Sequence, residues 1–181
     1  MEENYIEDGV RERLIISGIN ELCEHGLSDF SLRRTALKAQ VSCAAPYRHF
    51  KDKEELIREI IKYITSKWTL LCREIATAFS DDPRRLAIEV SVATLRFWLG
   101  NTNFRSVLSL GISADTDFDS YLIDTLRSYA EKIGTPERTD ELVYLVRSQI
   151  YGTVMLVTMG KLSDTDDTVS RLRKSIELIL K

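Results

Sequence analysis

The chain has 181 residues, 44% hydrophobic and 29% charged, which supplies a packed core and is too apolar for a disordered chain. Its net charge of −3 argues against general affinity for polyanions. No run approaches the ~20 apolar residues of a membrane-spanning helix, the longest uncharged stretch being 148–160.

Eight glycines and three prolines, with no runs of alternating β-branched residues, predict an all-α fold. The first residues lack the basic start and apolar run of a secretory leader. Cys23, Cys43 and Cys72 are an odd, unclustered set, which argues against disulfides and metal and for a reducing cytoplasm.

The first helix is expected over 10–25, with Val10, Leu14, Ile15, Ile19, Leu22 and Cys23 on one face. Gly26 ends it, since helix C-termini favour a left-handed residue. Leu27 and Phe30 tie it to a second helix, for which Ser31 is placed as N-cap. A turn at 39–42 then leads to a third helix capped by Ser42. Two short helices this close form a helix-turn-helix. Asp52, with Glu55 three residues on, opens a fourth helix over 53–80, roughly 40 Å long at 1.5 Å per residue.

Charge gathers in the same place. Ser31–Lys53 holds six basic residues and one acid, a local +5, so the remainder of a chain of −3 carries −8. A compact basic patch on an acidic protein points to a polyanion met at one place, against the blander reading of a solvated charged face.

Further helices are expected at 83–100, 103–112, 118–134, 137–160 and 165–180, punctuated by Gly100, Gly111, Gly134, Pro136 and Gly160. The helix at 137–160 is apolar on two sides: Leu142, Leu145, Val146, Ile150, Val154 and Val157 on one, Tyr151, Met155 and Met159 on the other. A second apolar face asks for a second neighbour. Pairing the last two helices (137–160 and 165–180) with those of a second copy would make a four-helix bundle and a homodimer.

Residues 10–61 resemble the DNA-binding domain of the tetracycline-repressor (TetR) family of bacterial transcription regulators. The likeness rests on the leading helix, Gly26-Leu27, Phe30-Ser31, the Val41-Ser42 turn and the run Tyr47-Arg48-His49-Phe50-Lys51-Asp52-Lys53-Glu54-Glu55-Leu56. It implies a three-helix DNA-binding domain over 1–52 and a helical ligand-binding and dimerisation domain over 53–181. The implied partners are an imperfectly palindromic double-stranded operator, a second copy and a small-molecule effector, in the cytoplasm and on the nucleoid.

In that frame Ser42, Cys43, Ala44 and Ala45 would face base edges, and Arg33, with Arg34 beside it, would read guanine. Tyr47, Arg48, His49 and Lys53 would hold phosphates. Three departures stand out: Gln40 occupies the usual turn glycine, Pro46 would remove an N–H from the recognition helix, and the acidic tail Glu2, Glu3, Glu7 and Asp8 offers no basic minor-groove arm.

Trp68, Phe97, Trp98, Phe104, Tyr121, Tyr151 and Met155 could line an apolar pocket or simply form core, and Arg96 or Arg147 could anchor an acidic ligand. The expected function is a sequence-specific DNA-binding regulator, a repressor released by a ligand. The alternatives are a ligand-independent regulator, a helical enzyme or a protein adaptor. The chain shows no nucleophile–base pair, metal cluster or phosphate-cradling glycine loop, so neither catalysis nor a cofactor is expected.

Overall fold

The computed structural model describes residues 2–101 and 118–181, with side chains in the first helix from Gly9 onward. Every regular element among them is helical: α1 (Glu2–His25), α2 (Leu32–Lys38), α3 (Pro46–His49), α4 (Lys53–Ala78), α5 (Pro83–Gly100), α6 (Ser120–Lys132), a 3-10 turn (Pro136–Arg138), α7 (Thr139–Thr158) and α8 (Asp166–Ile179). None is long and apolar enough to cross a membrane. The helix expected at 103–112 lies outside the described residues, as does Phe104. The chain forms two compact units, one reaching Lys67 and the other beginning, among the described residues, at Trp68. The first part of α4 belongs to one and its last turns to the other.

In the N-terminal unit, Leu14, Ile15, Leu22, Phe30, Ala36, Phe50, Leu56, Ile57, Ile60 and Ile61 are buried. The helix α1 starts at Glu2 rather than near Val10. Cys23, placed on the buried face by its spacing, is exposed. The inner position one residue before Leu22 is taken instead by Glu21. Gly18 lets α1 and α4 come together, because a Cβ there would stand 2.6 Å from Ile60 Cδ1.

The turn after α2 is a Schellman motif: Val41 N–H donates to Ala36 O at 3.0 Å and Gln40 N–H to Leu37 O at 3.1 Å. The chain uses the same pair of bonds after α6 and after α7, where glycines stand at the left-handed position, Gly134 with φ 76° and Gly160 with φ 67°. In the first turn that position belongs to Gln40, with φ 56°. The expected departure is therefore real, and a side chain in this region costs about 1–2 kcal/mol.

Pro46 is the first residue of α3. Its missing N–H falls where no intrahelical bond would form, so the expected loosening does not occur. Nor does Ser42 cap that helix: its carbonyl accepts from Ala45 N–H at 2.9 Å in a preceding turn, and the N-cap, Ala45, has no side-chain hydrogen bond. The Asp52 half of the capping of α4 is as expected, while Glu55 reaches one residue further back than the N-cap. Asp52 Oδ1 accepts from Glu55 N–H at 2.7 Å, while the Glu55 carboxylate accepts from Lys51 N–H.

In the C-terminal unit α5 is the central helix. It packs on α6, α7 and α8, and its buried residues (Ala87, Ile88, Val90, Ser91, Val92, Thr94, Leu95, Trp98 and Leu99) run round more than one face. Asp82 caps it by accepting from Arg85 N–H at 2.8 Å. Arg84 closes the far end of α8, donating to Leu180 O at 2.8 Å and Glu177 O at 2.7 Å, where a cation meets the negative end of the helix dipole. The helix α7 buries the stripe Leu142, Val146, Ile150 and Val154. Its Tyr144, Met155, Leu156 and Met159 are exposed, as is Leu178 of α8.

Two substitutions test this packing. Gln40→Gly should raise unfolding stability by up to about 1 kcal/mol in urea titration, the strain relieved being partly offset by a floppier unfolded chain. Gly18→Val should lower it by about 1–3 kcal/mol through overpacking against Ile60. An unchanged midpoint for Gly18→Val would mean that α1 and α4 are not in close contact there.

Candidate nucleic-acid interface

The interface is built on α2, the turn and α3. Within α2, Thr35, Ala36 and the following Ala39 are buried, so the helix has one inner face, and its charged residues divide around it. Arg34 turns inward toward α1: its Nε donates to Glu21 Oε1 at 2.6 Å, and its Nη2 donates to Asp29 O. Lys38, one turn further, lies 3.0 Å from Glu21 Oε2 and 2.6 Å from Glu24 Oε2. Arg33 is exposed, and the described residues offer its guanidinium no carboxylate. Two of the six basic residues are thus held by acids of α1.

The Glu21 carboxylate is 0% exposed. Burial pushes its pKa up, but hydrogen bonds from Lys38 and Arg34, together with their charges, outweigh that and hold it below the ordinary 4.5. Glu21, Glu24 and His25 have donor atoms within 4.8 Å of one another, a spacing a metal could use. Glu21 already has two cations on it, and that local charge leaves no need for another.

Ser42, Cys43 and Ala44 are exposed in the turn that leads into α3. Ala45, grouped with them as a base-facing residue, is 9% exposed and belongs to the core. Tyr47 is 66% exposed and Arg48 is exposed beside it, while His49 is half-buried with its ring 6.4 Å from that of Phe50. Lys51 is exposed. Lys53 is partly buried: its Nζ donates to Leu27 O at 2.9 Å and stands 5.7 Å from the Phe30 ring centroid. This fixes the ammonium at the start of α4 and leaves two of its three N–H bonds free of that carbonyl.

The residues expected to line a ligand pocket mostly meet one another. Phe97 stacks on Phe118 at 5.0 Å and lies 5.1 Å from Trp68 and 5.4 Å from Trp98, and Trp98 lies 5.9 Å from Tyr151. Trp68 Nε1 donates to Phe118 O at 3.2 Å. Tyr151 O–H donates to Asp119 Oδ2 at 2.6 Å, and Arg147 meets the same oxygen at 2.9 Å. Arg147 is therefore matched internally, and burial with the Asp119 bond pushes the Tyr151 phenol well up. Tyr121 is half-buried and Met155 is exposed. A cavity of about 460 Å³ opens beside the cluster, with Phe97 the one residue shared between that expectation and its lining, among those described. Leu71, Ile75, Phe79, Val92 and Ala93 supply the other apolar walls, and Glu89, Arg96 and Arg173 the polar ones.

Residues 15–60 match the sequence model of the bacterial regulatory proteins of the tetR family. No curated protein matches the chain. Among solved structures, a TetR family transcription regulator from Marinobacter aquaeolei VT8 is similar over 99% of this chain and 98% of its own, at 20% identity and a TM-score of 0.68. The transcriptional regulator FadR from Bacillus subtilis, in complex with stearoyl-CoA, is similar over 94% and 97%, at 16% identity and 0.62. NalD, the secondary repressor of the MexAB-OprM multidrug efflux pump in Pseudomonas aeruginosa, is similar over 94% of each chain, at 17% identity and 0.58. The described architecture is theirs: an N-terminal helix-turn-helix domain followed by a helical C-terminal domain.

The Glu21 pairing has a pH signature. A carboxyl whose folded pKa is depressed contributes stability above its unfolded value, and that contribution is lost as pH falls through the folded value. Glu21→Gln should cost about 1–3 kcal/mol at pH 7, and the gap to the parent protein should narrow below pH 4.5. A gap of the same size at pH 3 would show that the carboxylate charge plays no part.

Proposed function

We infer that this chain, which by its residues 15–60 belongs to the tetR family of bacterial regulatory proteins, is a homodimeric, ligand-responsive repressor that binds a specific operator. The observation that carries the reading is the division of charge on α2. Arg34 and Lys38 are spent on α1, whereas Arg33, Arg48 and Lys51 face solvent around the helix-turn-helix. Cations kept clear of internal partners on one motif suit a phosphate backbone.

The roles divide by chemistry. Arg33 presents the fork that can span guanine O6 and N7. Exposed Ser42, Cys43 and Ala44 are too small for bidentate reading; they allow close approach and contact with thymine methyl groups. Tyr47, Arg48, His49, Lys51 and Lys53 fix register on phosphates.

The uncovered apolar residues of α7 and α8, Tyr144, Met155, Met159 and Leu178, support pairing with a second copy. Two recognition helices would then enter successive major grooves about 34–36 Å apart on an imperfect palindrome. FadR is described with stearoyl-CoA and NalD as a repressor, which supports a ligand response and repression as the outcome. A ligand preferring the form with misplaced heads by about 1–3 kcal/mol would release DNA.

Fragments selected from genomic DNA should contain a two-fold related site, and Arg33→Ala should bind it about 1–3 kcal/mol more weakly with relaxed preference at one position per half-site. Arg48→Ala should weaken all sequences alike and shrink the salt slope by about one per subunit. Met159→Lys with Leu178→Lys should give monomers by light scattering and lose the cooperative two-site footprint. A chain indifferent to duplex DNA at low ionic strength would falsify the reading.

A further inference from the structure

We propose that the cavity bounded by the last turns of α4, by α5 and by α8 binds a hydrophobic monocarboxylate, with Arg96 receiving its carboxylate. The proposal names the effector class of the regulator inferred above and rests on that reading for its consequence on DNA. The binding itself stands on the cavity.

Its volume, about 460 Å³, lies within the ~300–1,000 Å³ of small-molecule sites. Leu71 and Ile75 of α4, with Phe79 just past its end, recur every four residues and form one apolar wall; Val92, Ala93 and Phe97 of α5 form the other. Leu71 is 43% exposed, so this wall has apolar surface left for an acyl or aryl body to cover.

The polar groups are not equivalent. Glu89 is fully matched: both terminal nitrogens of Arg173 donate to its two oxygens at 2.7 Å, and Arg85 Nε donates at 2.7 Å. Hydrogen bonds from Arg173 and Arg85 outweigh burial and keep that carboxyl below its ordinary range. The cavity's Glu89 end is therefore electrostatically closed.

Arg96 lies seven residues along α5, roughly 10 Å away. The nearest carboxylate oxygen among the described residues belongs to fully exposed Asp166, at 3.8 Å, beyond hydrogen-bond reach. Its planar fork is free to take a carboxylate bidentately. Glu89, Arg96 and Arg173 together give the lining a charge of +1, which suits a monoanion. The head would sit at Arg96 and the tail would lie against Val92, Ala93 and Ile75.

Trp68 and Trp98 both pack on Phe97, so their fluorescence reports filling of the cavity. Full-length protein without DNA is titrated with sodium decanoate and, separately, with 1-decanol. Decanoate should saturate the signal, and 1-decanol should bind about ten- to a hundredfold more weakly. Arg96→Gln should erase that difference by weakening decanoate alone, and Ala93→Phe should abolish both responses, each variant melting like the parent.

Equal affinities for acid and alcohol, full decanoate affinity in Arg96→Gln, binding retained in Ala93→Phe, or no saturable binding at all would each overturn the proposal. The two readings separate in a footprint of the selected operator. Decanoate bound without loss of the footprint would sink the ligand response and leave the site, whereas a footprint on protein that ignores decanoate would sink the site and leave DNA recognition.

Discussion

A carboxylate with no access to water governs the N-terminal unit. Glu21 is fully buried, and an ion so placed is tolerated only if opposite charge and hydrogen bonds replace its hydration. Arg34 supplies a hydrogen bond, and Arg34 and Lys38, four residues apart on α2, supply the opposite charge. Because they share a face, satisfying Glu21 fixes the rotation of α2 about its axis as well as its distance from α1. Arg33, about 100° round the helix from Arg34, then has no choice but to face solvent. The electrostatic demand inside the unit thus decides which arginine is available outside it.

The turn that follows places α3 by backbone geometry. Three helix ends in this chain use the same two hydrogen bonds, and the motif needs one residue in the left-handed region. Gly134 and Gly160 adopt it without strain, while Gln40 adopts it at φ 56° because the packing on both sides holds it there. Pro46 then starts α3 in the first turn, where its missing N–H removes no intrahelical bond. With Ala45 buried before it, and Phe50 buried and Lys53 bonded to Leu27 O after it, the run from Tyr47 to Lys51 is tethered at both ends and presents its polar side chains from a fixed frame.

The C-terminal unit solves a different problem, that of a helix surrounded. With α6, α7 and α8 all packed on α5, the charges near α5 must be matched locally. Glu89 is matched by Arg85 and Arg173, and the end of α8 by Arg84. What remains uncompensated is informative. The exposed apolar residues of α7 lack cover, and Arg96 lacks a carboxylate at hydrogen-bond distance among the described residues.

The sequence alone was enough for the all-α class, the helix-turn-helix and most helix limits. Those properties are local: apolar spacing, Ser31, Gly26 and the Asp52–Glu55 pair act within a few residues of themselves. The strained φ at Gln40 was legible only through the family resemblance, which puts a glycine at that turn position. The fate of individual side chains was not. Arg33 and Arg34 are identical as neighbours in a basic run, and only the buried carboxylate thirteen residues away in the chain separates the outward one from the inward one. Likewise Trp68, Trp98 and Tyr151 read as pocket lining or core; they pack against other aromatics, and the cavity forms around Phe97 where α4, α5 and α8 leave a gap. Pairings across the chain depend on which helix faces meet, and that is decided when the whole core packs.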